Sequence, residues 1–275
     1  MRLTHLSAPA AAAAAVIAIA SFAASVSGQD QVPPPPVPAF QPTRPQGQPR
    51  LAPQGQGSQG QGRRGRYIAP TPRTPTGPTV KLPEPRAKST TSIEQALWNR
   101  QTLRAVTPGP VALDDVGQLL WAAQGVTGRY ARRAAPSAGG AYALEVLLVA
   151  GDVTGLPAGV YRYYGASNQL ESLAPGDKRP AFSQITRFEG IQKAPAIVVI
   201  TAVRSRTTQL FPTDEIADHF LSLEVGAAGQ NLMLEAVALH LGTSIASDTD
   251  EKKLVDVLGT PADERPYMLI VVARD

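Results

Sequence analysis

Apolar positions along the second two thirds of the chain fall into two periodicities. Ser89-Thr-Thr-Ser92 followed by Glu94 and Gln95 offers a capping box, and Ile93, Ala96 and Leu97 continue as a helical stripe. Residues 113–124 place Leu113, Val116, Leu119, Leu120 and Ala123 on one helical face, with Gly125 as the stop. Residues 145–150, 196–203 and 267–273 are short, nearly unbroken apolar runs, the pattern of strands buried on both sides. Residues 159–164 and 169–173 read as a hairpin, with Gly165 and Asn168 in its turn. Residues 213–241 predict a long helix that is apolar on most faces, and so buried in the domain or in a dimer interface. Residues 250–258 predict a short amphipathic helix. Helices and strands interleaved around one hairpin point to a layered α+β domain.

Upstream the pattern changes. Residues 1–28 read as a secretory signal peptide, with Arg2 and His5 ahead of an Ala-rich apolar run and small residues at its end. Residues 29–87 are a Pro/Gly/Gln-rich linker that lacks the apolar content to order itself, and is expected to be disordered. The folded domain is therefore expected over 88–275. On this reading the protein is exported to the periplasm, touching membrane only through the signal segment if that stays uncleaved.

Charge follows the same division. The formal net charge of +4 hides eight Lys and Arg against two Asp and Glu through Pro85, and 18 against 20 from Arg86 onward. The folded part is slightly acidic, which excludes a basic nucleic-acid groove on the domain. Cysteine is absent, so thiol nucleophiles, disulfides and cysteine metal sites are excluded. The three histidines, His5, His219 and His240, are too scattered for a short-helix ligand pair, and no metal is expected.

Two polar segments carry candidate chemistry. Arg100, Thr102 and Arg104 alternate just past the first helix, and in an extended segment that spacing puts all three side chains on one face. Two guanidinium forks and a hydroxyl on one face suit a phosphate, although arginines at a helix end also serve as solvated partners of the helix dipole. Pro136-Ser-Ala-Gly-Gly140 is a loop of minimal side chains through which backbone could approach a planar ligand, or an ordinary connection.

The order of the pieces narrows the alternatives. Ser92-Ile-Glu-Gln-Ala-Leu-Trp-Asn-Arg-Gln-Thr-Leu-Arg104, Leu119-Leu-Trp-Ala-Ala-Gln-Gly-Val-Thr127, Ala135-Pro-Ser-Ala-Gly139, Gly155-Leu-Pro-Ala-Gly-Val-Tyr-Arg-Tyr163 and Glu224-Val-Gly-Ala-Ala-Gly-Gln-Asn-Leu-Met-Leu234 together resemble the nitroreductase superfamily, in particular its SagB-type dehydrogenase (azoline oxidase-like) branch. The resemblance implies a fold with a central, mainly antiparallel sheet flanked by helices. It also implies an FMN cofactor bound at the interface of a homodimer. By the same resemblance Arg100, Thr102 and Arg104 fall on the family's phosphate clamp, with Thr in place of Ser. Pro136, Ser137, Ala138 and Gly139 fall on the flavin-contacting loop and Arg133 on the arginine preceding it. Ser244, Ile245, Ala246 and Ser247 belong to the segment lying against the flavin ring. Arg274 falls on the terminal arginine that reaches the phosphate. Ala273 and Ser247 stand where the family carries glycine, and residues 207–215 lack the lysine-tyrosine pair of the azoline oxidases. No catalytic side chain is named on this basis. The implied activity is an FMN-dependent oxidoreductase acting on a small exported substrate, and the alternative is a catalytically degenerate flavin-fold binding or scaffold module in the cell envelope.

Overall fold

In the computed structural model the described residues are 73–128, 132–246 and 249–275. The signal segment, most of the linker and Ser247 lie outside them.

The domain is organised around a seven-stranded sheet. Its strands are β1 (Thr79–Lys81), β2 (Leu144–Ala150), β3 (Gly159–Tyr164), β4 (Gln169–Pro175), β5 (Ala196–Val203), β6 (Leu241–Ala246) and β7 (Glu264–Arg274). They lie in the order β1-β4-β3-β2-β5-β7-β6, every neighbouring pair antiparallel. The unbroken apolar runs follow from burial of both faces. Val146, Leu148, Val198, Ile200, Ile270 and Val272 face α2 (Leu113–Gln124) and α3 (Asp214–Ala238). Their sequence neighbours Leu147, Val149, Ile197, Val199, Leu269 and Val271 face Phe182, Ile185, Ile191 and α4 (Glu251–Leu258). A strand covered on both sides has no polar face, and each fully buried Leu, Ile or Val contributes roughly 1.5–3 kcal/mol.

Caps set the helix ends. In α1 (Ile93–Asn99) the expected capping box forms with Gln95: its backbone N–H donates to Ser92 Oγ, and its side-chain oxygen accepts from the Ser92 N–H. Thr213 caps α3 through the Ile216 N–H, and Asp250 caps α4 through the Lys253 N–H. Gly125 ends α2, but with φ of −64° rather than in the left-handed region. A Cβ there would lie 2.1 Å from the Trp121 ring, so glycine is required by contact. The long helix stops at Ala238, three residues short of the expected end, because His240 turns left-handed (φ 56°) and Leu241 enters β6.

The ordered domain begins well before Lys88. β1 pairs with the edge of β4, and Leu82 behind it is 1% exposed, against Gly117 of α2. Asn168, in the hairpin turn, donates to the Leu82 and Pro83 carbonyls, and Gln118 exchanges hydrogen bonds with the Arg86 backbone. Composition hid this segment because a three-residue strand and one buried leucine draw their stability from partners distant in sequence.

The segment is also tied down by charge. Arg73 pairs with Glu264 at 2.8 Å and approaches Glu145 and Asp263. Glu264, 1% exposed, also binds Arg162 at 3.0 Å and accepts from the Thr201 hydroxyl at 2.6 Å. Burial works against charge on Arg162, but the hydrogen bond and attraction of Glu264, with Glu145 beyond, outweigh it and hold the guanidinium charged. Arg206 completes the cluster by pairing with Glu145 at 2.8 Å and donating to the Tyr142 carbonyl at 2.9 Å.

Candidate functional site

The 100–104 segment adds itself to the free edge of the sheet. Arg100 is the extended C-cap of α1; Thr102 then bridges Thr243 in parallel fashion, and the Leu103 N–H donates to the Thr243 carbonyl at 2.8 Å. β6 is an edge strand whose outward backbone groups need partners, and this short extended piece supplies them. Within the segment Arg100 is half-buried and Gln101 is exposed. Leu103 packs so closely on Gly242 that a Cβ there would come within 2.8 Å of it, while Thr102 and Arg104 are exposed.

A cleft of about 630 Å³ opens over this junction, a size ordinary for a small-molecule site. Gln95 and Asn99, four residues apart on one face of α1, form one wall together with Thr91 just ahead of the N-cap. Gln101 to Arg104 form the floor, and Val237, His240, β6 from Leu241 to Thr243, and Asp275 close the other side. Arg100 stands beside the cleft without lining it. The guanidinium groups of Arg100 and Arg104 have no hydrogen bond or ion pair among the described residues. Free forked donors beside an exposed hydroxyl fit the oxygens of a phosphate monoester.

The small-residue loop lies elsewhere. Gly139 (φ 62°), Gly140 (φ 71°) and Tyr142 (φ 47°) all take left-handed conformations, free for glycine and costly for tyrosine. The loop is held from beneath by α3. Glu224 Oε1 accepts from the Ala138 N–H at 2.5 Å and from the Ser137 hydroxyl at 3.4 Å, while Ser137 Oγ accepts from the Tyr142 N–H at 2.8 Å. Two turns further along α3, Asn231 donates to the Ala134 carbonyl. Glu224 is 4% exposed and its Oε2 has no partner. Burial pushes its pKa up, although the two donors pull the other way. A Cβ on Gly139 would come 3.1 Å from Leu210 Cδ1, in the short segment before α3, a tight contact added to the strain of its left-handed φ.

Glu224 and Val237 are thirteen residues apart on one helix, roughly 20 Å at 1.5 Å per residue. None of Arg133, Pro136, Ser137, Ala138 or Gly139 lines the cleft. Arg133 donates to the Gln124 carbonyl at the end of α2 and packs against Gly165. Ser244 and Ala246 are buried in β6, with Ile245 exposed between them. Arg274 does not line the cleft: its Nε donates to the Pro110 carbonyl at 3.0 Å, and its stem lies on Gly109. Asp275, the next residue, lines the cleft instead.

Sequence reading missed the cleft's other wall. Nothing in the sequence marked α1 as facing β6. The left-handed backbone of His240 has no sequence signal apart from its place between helix and strand. Among the described residues no group of three or more His, Asp and Glu could hold a metal ion, and no helix is long and apolar enough to cross a membrane.

Comparison with known proteins agrees with this architecture. A protein of Methanocaldococcus jannaschii named as a nitroreductase is 29% identical over 185 residues, covering 66% of this chain and 90% of its own. A crystal structure from Ralstonia eutropha, also named for nitroreductase, superposes with a TM-score of 0.62 at 26% identity, over 76% of this chain and 95% of that one. A chain of the Escherichia coli microcin synthetase complex, solved with a truncated microcin precursor bound, shares the fold at 18% identity and TM-score 0.53, over 66% of this chain and 72% of that one. The nitroreductase family model matches residues 97–274, which contain the 100–104 segment, the small-residue loop, α3 and β6. The chain belongs to the nitroreductase family.

Proposed function

We propose that the protein is an FMN-dependent oxidoreductase of the SagB-type kind, working as a homodimer. Nitroreductase-family proteins generally use flavins, and a phosphate-bearing flavin suits the free guanidinium groups of Arg100 and Arg104 better than one ending in a neutral alcohol. That pair of unpartnered arginines is the observation that carries the reading. Arg100, Thr102 and Arg104 would hold the phosphate, and β6 from Ser244 to Ala246 would lie against the ring. When bound, the flavin supplies hydride acceptance or donation. The residues of this chain bind it, orient it and keep water away.

The separation along α3 supports the dimer. Phosphate clamp and small-residue loop are too far apart to close one pocket within a single chain, so the Pro136–Ala138 stretch of one copy would complete the cleft of the other. Ile93, Leu97 and Trp98, the last 72% exposed, place apolar surface on α1 beside the cleft, where a second copy would cover it.

Export, read from residues 1–28, removes the protein from a supply of nicotinamide nucleotides. An oxidase-like or quinone-coupled dehydrogenation of a small exported substrate is therefore favoured over NAD(P)H-driven nitro reduction. Stopped-flow mixing with NADH and NADPH tests that preference, which fast bleaching of the flavin would overturn. The absence of a lysine-tyrosine pair in residues 207–215, and the engagement of Glu224 by the loop, favour a second reading: a degenerate flavin-fold binding module. The purified chain decides between them. A yellow protein that releases FMN on denaturation and turns over supports the enzyme; a colourless one that cannot be reconstituted supports the module.

A further inference from the structure

Tyr142 is the strained point of the small-residue loop. Its φ of 47° lies in the left-handed region, which glycine enters freely and tyrosine does not. Such a residue persists only where its surroundings fix it. Side chains take both of its backbone polar groups. The N–H donates to Ser137 Oγ at 2.8 Å, within the loop, and the carbonyl accepts from Arg206 at 2.9 Å, from the short helical turn Arg204–Thr208. The same guanidinium nitrogen of Arg206 lies 2.8 Å from Glu145 Oε1. The loop is thus gripped at two points: Glu224 takes the Ala138 N–H near its start, and Arg206 takes the Tyr142 carbonyl near its exit.

The charge cluster alone does not account for Arg206. Arg73 and Arg162 already face Glu145 at 3.6 and 3.7 Å, and both pair with Glu264. With Arg206, three guanidinium groups meet two carboxylates, and the further one nearby, Asp263, is largely exposed. Glu145 would keep two cations without Arg206; the Tyr142 carbonyl would keep no side-chain donor.

We propose that Arg206 is a positioning residue for the small-residue loop. Anchored on Glu145, it locks Tyr142 in its left-handed turn and so fixes the course of Ser137 and Ala138. The lock stands on its own geometry; its consequence for the cofactor rests on the reading of the loop as a flavin contact. With the lock gone, Tyr142 relaxes toward ordinary backbone angles and the loop loses the register in which Glu224 holds it.

The test compares four full-length, flavin-free chains: unaltered, Arg206→Gln, Tyr142→Gly and the double variant. Amide exchange of residues 136–142 is read against that of β5, so that a general loss of stability cancels. Arg206→Gln should speed loop exchange relative to β5 by about tenfold. In the Tyr142→Gly background, where glycine holds the turn unaided, the same change should act by at most about twofold. Arg206→Lys keeps a charge for Glu145 but loses the fork and some reach. It should fall between the two in the tyrosine background and have no effect in the glycine one, which keeps the comparison readable should Arg206→Gln not fold. An Arg206 effect of equal size in both backgrounds, or none in either, overturns the proposal. Titration of the same chains with FMN should show affinity falling about tenfold for Arg206→Gln with Tyr142 present. The expected exchange pattern with unchanged FMN affinity would uphold the lock and remove the loop from the flavin site.

Discussion

Arg162 and Arg104 belong to one domain and live under opposite conditions. Arg162 is buried under the sheet and locked between Glu264 and Glu145, with Thr201 and Arg73 filling the remaining capacity of Glu264. Arg104 is exposed at the edge of the sheet, has no partner, and stands with an equally free Arg100 at a cleft. A guanidinium that stabilises a fold is surrounded by carboxylates that offset its desolvation. One kept for a ligand is left open by its own chain. The contrast separates the residues that build this domain from those that equip it.

The sharpest way to break the comparison is to remove a carboxylate from the buried set. Glu264→Gln takes the nearest carboxylate from Arg162 and Arg73, leaving only the more distant Glu145 and Asp263, and should cost about 3–5 kcal/mol in denaturant unfolding, while Arg104→Ala should shift stability by no more than about 0.5 kcal/mol. Next in size is the strap that precedes the first helix. A chain beginning at Lys88 loses β1, the buried Leu82 and the Arg73 pair, and should be less stable than one beginning at Arg73 by about 3 kcal/mol or more, read from the shift in midpoint at constant slope. Equal stability of the two chains would make the strap decorative.

On the ligand side, Arg104→Ala should weaken FMN by about 1.5–3 kcal/mol, tenfold or more, without altering the melting temperature of the apoprotein. The smallest effect concerns two buried glutamates of opposite sign. Glu224 is pushed up by burial, so its stabilising contribution is full below the unfolded glutamate value of about 4.3 and is lost as pH rises through its folded value. At Glu171 burial is outweighed by donors from Tyr164, Thr76 and Gly77, and its contribution is instead lost as pH falls. Glu224→Gln should remove the loss of stability that sets in as pH rises above about 4.3, and Glu171→Gln the loss that sets in as pH falls.

What could be read from the sequence follows from where the information resides. Caps, helical stripes and doubly buried strands are local, and Ser92, Gly125, residues 196–203 and Asp250 announced their elements within a residue or two. β1 and β6 did not, because their stability comes from β4 and β7, far away in the chain. The clamp spacing of Arg100, Thr102 and Arg104 was legible, and so was the small-residue loop. That the two stand roughly 20 Å apart along α3 was not, since α3 itself sets the distance. Arg274 shows the opposite case. Its place at the end of the last strand was readable, but the Pro110 carbonyl that holds it depends on a turn with Gly109 at φ +142°.

The central claim, that the open arginines at the sheet edge exist to hold a phosphate-bearing flavin, is tested most directly by titrating the flavin-free full-length protein with FMN and with riboflavin side by side. FMN should bind at least tenfold more tightly, and replacing Arg100 and Arg104 together with alanine should bring it down to the riboflavin level. Equal affinity for the two flavins, or a double variant that keeps the preference for FMN, would contradict the account.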